Sequence, residues 1–329
     1  MIAVDTEEQA ALRSVARDLL GRGLGAEQLW KRLTGELGLT GLAVPESAGG
    51  AGAGLAEVAV AVEETGRVLA PVPYLSTALA GYVLGSGSCG EFLPGIAGGS
   101  LRAAFVFTGS CSVSGGRVSG TAPHVLDGAE ADVFIVSCGD ALYVVRASDA
   151  SVIPVDTLDQ TRSQAVVEFG ASEGVSAGVA ASAAEDLFRV LLAVESAAAA
   201  AYCLDATVAY LRTREQFGRA LGTFQALRHR CADLAVEVAS ARATARAAVD
   251  AATGSGGSLG PAVLGPLAKK HCADVFWHVA AEMIQLHGGI GCTWEHQAHR
   301  YLKRAKTTQL LLGSPAELRR LVASRAGLF

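Results

Sequence analysis

The 329-residue sequence predicts an α+β fold made of three consecutive regions. Three observations predict it. Apolar residues recur at helical spacing through residues 1–98. Short β-type runs, punctuated by Gly, Ser and Asp, fill residues 99–178. Long helical stretches joined by short turns occupy residues 179–329. The expected architecture is an N-terminal α-helical domain, a middle antiparallel β-domain and a C-terminal antiparallel helical bundle.

Each element has a local signature. Thr6 followed by Gln9 reads as a capping box, and Leu12, Val15, Leu19 and Leu20 continue one helical face. A loop, Pro45-Glu46-Ser47-Ala48-Gly49-Gly50-Ala51-Gly52, precedes a helix expected over 55–69, which stops before Pro71 and Pro73. Phe105-Val106-Phe107, Val133-Phe134-Ile135-Val136, Leu142-Tyr143-Val144-Val145 and Ala165-Val166-Val167-Glu168-Phe169 read as strands of a small antiparallel sheet or barrel. Helices are expected at about 184–213, 224–253, 261–288, 299–311 and 315–325. The glycine- and serine-rich stretch 253–258 is a connector between two of them.

Bulk properties exclude several classes. Half the residues are hydrophobic and 18% are charged, a globular composition. The net charge of −5 offers no basic surface for nucleic acid or anionic lipid. Glu7 and Glu8 stand where a secretory leader would need a cationic segment and an apolar run, so none is expected. Residues 188–203 come nearest to a membrane span, but Arg189 and Glu195 interrupt them and the stretch falls short of about 20 apolar residues. A buried core helix is the expectation. Seven cysteines without a CxxC pair suit free thiols in a reducing cytoplasm.

Two motifs dissolve on inspection. Gly85-Ser86-Gly87-Ser88-Cys89-Gly90 matches GxGxxG, but a helical run precedes it where a dinucleotide loop needs a strand, so a surface turn is expected. His287, Cys292, His296 and His299 crowd one segment without the carboxylate or cysteine pair that would complete a metal shell, and no metal is expected. No GxSxG elbow occurs.

Glu195 carries more information. On a 3.6-residue period it shares a stripe with Phe188, Leu191, Leu192, Ala198, Ala199 and Tyr202, which is the apolar face. A carboxylate there is expensive to hold as a bare anion. It is therefore either a candidate general base or the partner of an arginine or a second subunit. The alanines at 197–201 would let another helix, or something flat, come close.

Two polar patches have nucleotide-binding chemistry. In Arg214-Glu215-Gln216-Phe217-Gly218-Arg219-Ala220-Leu221-Gly222-Thr223-Phe224-Gln225, Arg214 can fix a pyrophosphate, Phe217 can stack and Gln225 can donate and accept. In Gln285-Leu286-His287-Gly288-Gly289-Ile290-Gly291, Gly288 and Gly289 allow backbone amides to approach an anion. Both patches could equally be polar turns between helices.

These two patches, with Leu37-Gly38-Leu39-Thr40-Gly41-Leu42-Ala43-Val44-Pro45-Glu46, Glu63-Glu64-Thr65-Gly66-Arg67, Pro71-Val72-Pro73 and Asp159-Gln160-Thr161-Arg162, resemble the acyl-CoA dehydrogenases over nearly the whole chain. The resemblance implies a C-terminal four-helix bundle and FAD held between it and the middle domain. It implies that Arg214, Phe217, Gln225, Gln285, Gly288 and Gly289 contact FAD across a dimer. The implied reaction is α,β-dehydrogenation of an acyl-CoA thioester, with electron-transfer flavoprotein as the electron acceptor. In many members the base stands just before a Gly near the C-terminus, where this chain has Leu312. In others it stands early on the first bundle helix, where this chain has Phe188. Glu195, about 10 Å farther along the same face, is the candidate base, with Arg189 as helper or structural cation. The family's Thr-Glu-Pro-x-Ala-Gly-Ser segment is missing between Phe107 and Val113. Short members of this kind are often half of an α2β2 heteromer acting on bulky or steroid-derived acyl chains. A non-catalytic partner subunit completing the FAD site of a longer acyl-CoA dehydrogenase is the alternative.

Overall fold

The computed structural model describes residues 5–328. They fall into two compact units. One runs up to Val62 and resumes over Ala70–Phe188; the other comprises Glu63–Leu69 and the chain from Arg189 onward.

In the first unit, α1 (Glu7–Leu20) opens on the Thr6–Gln9 capping box, with both reciprocal hydrogen bonds formed. Next come α2 (Ala26–Gly35), the first part of α3 (Leu55–Arg67), α4 (Tyr74–Gly85) and the short α5 (Leu93–Ala97). Helix α4 is buried on almost every side. Gly85-Ser86-Gly87-Ser88-Cys89-Gly90 is the turn after α4. The Ser88 N–H donates to the Ala177 carbonyl at 2.9 Å, so this turn fastens a helix end to a strand.

The β-region is two four-stranded sheets rather than one. The first orders β1 (Ala103–Val106), β4 (Val133–Cys138), β5 (Ala141–Arg146) and β8 (Val175–Ala180); the second orders β2 (Ser112–Ser114), β3 (Arg117–Leu126), β7 (Gln164–Glu173) and β6 (Ala150–Pro154). The two inner faces build one core. Ala104, Val106, Phe134, Val136 and Val145 come from the first sheet; Val118, Ala122, Val125, Ala165, Val167 and Phe169 come from the second. Phe134 and Phe169 meet edge to face at 5.9 Å across it. Pairing is antiparallel except for β1 against β4, which is parallel. That exception arises because β2 and β3 leave for the other sheet before the chain returns as β4. Strands β2, β3, β6 and β8 escape the pattern of apolar runs because Ser, Gly and Ala dominate them or one face is polar.

In the second unit, α6 (Ala181–Thr213) enters at Arg189, and α7 (Gln225–Ala252), α8 (Pro261–His287), α9 (Ala298–Leu310) and α10 (Pro315–Arg325) follow. These boundaries match the expected helices to within a few residues. Buried positions on α7 (Leu234, Val238, Ala241, Ala245, Ala248 and Val249) and on α8 (Cys272, Phe276, Val279, Ala280, Met283 and Leu286) repeat at 3- and 4-residue steps. Each is the inward stripe of a bundle helix, and the α7 alanines permit close approach. Among the described residues, α6 alone is long and apolar enough to cross a membrane, and 72% of its most apolar window is buried within the protein. It is a core helix, as its interrupting charges foretold.

Gly120 marks the tightest point of the second sheet. Its φ is +142°, and a side-chain carbon there would stand 2.0 Å from the Ser110 carbonyl oxygen. Gly120→Ala is expected to destabilise the protein by about 2–3 kcal/mol, read as a lower urea midpoint. An unchanged midpoint would refute this account of the sheet.

Candidate functional site

Glu195 lies on the buried face of α6, 6% exposed. It meets Arg304 of α9, whose Nη1 stands 3.2 Å from Glu195 Oε1. Arg304 itself is 2% exposed. An arginine partner, one of the possibilities open for this carboxylate, is present. Gly66 of α3 closes over the pair: a side-chain carbon there would come within 2.5 Å of Glu195 Cγ. Beside it, Tyr301 stacks on Tyr202 at 4.9 Å and donates its hydroxyl to the Arg67 carbonyl at 2.8 Å. Burial and the neighbouring Tyr202 push the Tyr301 phenol well above its usual range, so it stays protonated and donating.

Arg189, also buried, points elsewhere. Its Nε donates to the Leu312 carbonyl at 3.1 Å. Six residues separate it from Glu195, about 9 Å along the axis and a third of a turn around it. Lys269 of α8, 1% exposed, donates to the carbonyls of Gln309 at 3.0 Å and Gly313 at 2.8 Å. Two buried cations thus hold the turn between α9 and α10, where Leu312 adopts φ +52° and Gly313 φ +113°. Left-handed backbone at a leucine is unfavourable, and the clamp offsets it. Burial, reinforced by the Arg189 charge, pulls the Lys269 ammonium down from its ordinary 10.5 to about 7. Leu312 is one of the two slots the resemblance gives to a base. At the other, Phe188 lies edge-on to Phe105 and Phe107, with ring centroids 5.6 and 5.9 Å away. Neither side chain can accept a proton.

The two polar patches come together at one end of the bundle. Tyr210, one turn before Arg214, donates its hydroxyl to the His287 carbonyl at 3.3 Å and stacks on the His287 ring at 4.3 Å. The His287 ring is fixed by its Nδ1–H donating to the Met283 carbonyl at 2.7 Å. Its pKa is lowered, first by burial, which keeps the ring neutral. Beyond Tyr210, strands β9 (Glu215–Gln216) and β10 (Arg219–Ala220) form a hairpin whose turn is Phe217-Gly218. Both turn residues have positive φ, +54° and +75°. That suits Asn-Gly and strains a bulky aromatic. Phe217 is nevertheless 88% exposed, its ring edge-on to Phe224 at 6.1 Å, and Arg219 covers the Phe224 ring at 4.0 Å. A strained, exposed aromatic that packs so little of its own chain is a candidate contact residue. Arg214, Gln225, Gln285, Gly288 and Gly289 are exposed as well. Gly288 has φ +64° and ψ −143°, a conformation close to glycine-only, and nothing lies within 4 Å of where a side chain would begin at Gly288 or Gly289.

All six cofactor candidates therefore lie in the second unit, open to solvent, while Glu195 and Arg189 are internal. Arg304 and Lys269 were missed in the sequence. Each sits on a buried helical stripe, Arg304 with Tyr301, Ala305 and Thr308, and Lys269 with Cys272, Ala273 and Phe276. A lone cation on an apolar face was the available signal.

Comparison with known proteins agrees with this architecture. Residues 6–99 match the model of the acyl-CoA dehydrogenase N-terminal domain, and residues 179–327 match that of the acyl-CoA dehydrogenase C-terminal domain. The chain is 39% identical to acyl-CoA dehydrogenase IpdE2 of Mycolicibacterium smegmatis over 98% of this chain and 96% of that one. It is 36% identical to IpdE2 of Mycobacterium tuberculosis, covering 96% of each. Among solved structures, a variant of the Tcur3481-Tcur3483 steroid ACAD superposes with a TM-score of 0.88 at 30% identity, over 98% of this chain and 99% of that one. The ChsE4-ChsE5 complex from Mycobacterium tuberculosis superposes with 0.87 at 25% identity, over 99% of each.

The clamp has a pH signature. Between pH 7 and 10.5 the unfolded chain keeps the Lys269 proton and the native protein sheds it. Stability from this group is therefore lowest below pH 7 and rises with pH, by at most about 1.4 kcal/mol per unit. Lys269→Met removes that slope. Urea unfolding at pH 6.5, 8 and 9.5 should show wild type gaining on the variant by more than about 1 kcal/mol; parallel curves would refute the assignment.

Proposed function

Since this chain belongs to the acyl-CoA dehydrogenase family and is an oxidoreductase of that kind, we propose that it serves FAD-dependent α,β-dehydrogenation of an acyl-CoA thioester, as one subunit of a heteromeric enzyme. The acyl chain in this reading is bulky and steroid-derived, and electron-transfer flavoprotein takes the electrons. The observation that carries the proposal is the full-length likeness, at 30% identity or better, to proteins described as acyl-CoA dehydrogenases and as a steroid ACAD.

The surface donor set fits FAD. Arg214 supplies a fixed charge for a pyrophosphate, Gln225 and Gln285 supply amides, Phe217 supplies a face for a planar ring, and the bare backbone at Gly288 and Gly289 admits an anion closely. Because the set lies open on this chain, a second chain must cover it to exclude water. When bound, FAD supplies the acceptor for the hydride leaving the substrate Cβ. In the catalytic reading, Glu195 takes the α-proton, Arg304 orients its carboxylate, and Arg189 stiffens the neighbouring turn.

A specific arrangement favours the second reading, a subunit that completes its partner's site. Glu195 and Arg304 form a buried ion pair inside the bundle, Gly66 packs on Glu195, and Phe188 and Leu312 fill both slots the resemblance gives to a base. In that case Glu195 is structural, and the partner chain supplies the base.

Glu195→Gln in the purified complex separates the two. Loss of a base should cut turnover by about 10²- to 10⁴-fold with flavin retained. A structural carboxylate should leave turnover per folded complex unchanged while lowering the melting temperature, since a buried pair missing one partner loses about 3–5 kcal/mol. Unchanged turnover sinks the catalytic reading.

The cofactor assignment has its own test. Phe217→Asn suits the left-handed turn, so the melting temperature should hold or rise by a degree or two while bound flavin per chain falls several-fold. Full flavin retention would remove Phe217 from the site.

A further inference from the structure

The bundle carries a second concavity, independent of the proposed reaction. Helices α7, α8 and α10 enclose a groove of about 750 Å³, within the size range of small-molecule sites. Its floor is apolar: Leu318 is 1% exposed, and Leu267, Val322 and Leu328 extend the surface outward, with Leu267 38% and Leu328 69% exposed. Its rim carries three cations, Lys270, Arg319 and Arg320, with His271 beside them, and no Asp or Glu lines it.

Two of these groups are engaged. Lys270 pairs with Asp274 at 3.0 Å, and the His271 Nε2 shares a hydrogen bond with Ser240 Oγ at 3.0 Å. Arg319 and Arg320 are exposed, and neither has an ion pair within 4 Å among the described residues. Glu317, on the same helix, is committed to the capping box: its Oε2 accepts from the Ser314 N–H at 2.8 Å and from the Ser314 hydroxyl at 2.7 Å. It therefore acts on Arg320 only through space. Two open guanidinium groups beside an apolar trough, in a chain whose net charge is −5, is a local reversal of sign. Guanidinium groups take carboxylates in paired hydrogen bonds, and the trough removes hydrocarbon from water.

We propose that this groove binds an amphipathic carboxylate, with its hydrocarbon body on Leu267, Leu318 and Val322 and its head group at Arg319 and Arg320. None of the flavin or base candidates lines the groove. A binder of this class would sense free acids without competing for the thioester.

The test titrates the intact purified assembly with dodecanoate by calorimetry, using dodecanol and methyl dodecanoate as uncharged controls. Binding should saturate at one molecule per chain, with both controls at least tenfold weaker. The double variant R319E/R320E should weaken dodecanoate at least tenfold without changing the flavin spectrum or the melting temperature. Ala323→Trp, which fills the trough, should abolish binding of dodecanoate while leaving bound flavin unchanged. Equal affinity for the uncharged controls, several non-saturating molecules per chain, or binding indifferent to both variants would overturn the proposal. So would hydrogen-exchange protection of α10 by a second chain in the unliganded assembly, which would make the groove a protein interface.

Discussion

Glu195 and Arg304 meet 109 residues apart in sequence, at 3.2 Å, where water scarcely reaches either. Much of the C-terminal half is arranged around this meeting. Helix α6 must present its carboxylate at the level of the middle of α9, which fixes the register of one helix against the other. Gly66 must be bare to let α3 seal the pair. Tyr301, one turn before Arg304, stacks on Tyr202 and reaches back to the Arg67 carbonyl, so the same helices are fastened twice. A buried ion pair adds little net stability compared with well-packed hydrocarbon. What it constrains is register, since a slip would pull two buried opposite charges apart.

The same economy of means holds the turn at Leu312. There the strained backbone is gripped by Arg189 from α6 and Lys269 from α8. Both cations are committed to main-chain carbonyls that the end of α9 and the following turn would otherwise leave without donors. The inner faces of the bundle thus carry at least three buried charges, each with a structural task. The outward-facing cofactor candidates divide from them cleanly: rigid interior, adaptable rim.

Helices were legible because their signal is local. The 3.6-residue stripe and the glycine- and serine-rich connector at 253–258 placed all five bundle helices within a few residues, and the Thr6 cap placed α1. Half the strands were legible because apolar runs such as Val133-Phe134-Ile135-Val136 announce buried strands. Of the others, Ser112–Ser114, Ala150–Pro154 and Val175–Ala180 are edge strands, while Arg117–Leu126 is an interior strand whose Ser, Gly, Thr and Pro break its apolar pattern. That β1 pairs in parallel with β4 depends on which sheet the intervening strands join, a non-local fact. At the site, Glu195 stood out as a charge on an apolar face. Its partner carries the same signal on α9, where Arg304 breaks the stripe of Tyr301, Ala305 and Thr308, but the pairing itself is a non-local fact. The left-handed Phe217 was beyond reach: the residue pair Phe-Gly does not advertise a two-residue hairpin turn as Asn-Gly does.

The Gly66, Glu195 and Arg304 contact has a consequence for descent. A side chain added at 66 collides with Glu195; a neutral residue at 195 or at 304 removes one half of a buried ion pair. Each single change at these three positions is therefore expected to cost stability, which couples them in descent. The least costly departure trades both charges for hydrocarbon together.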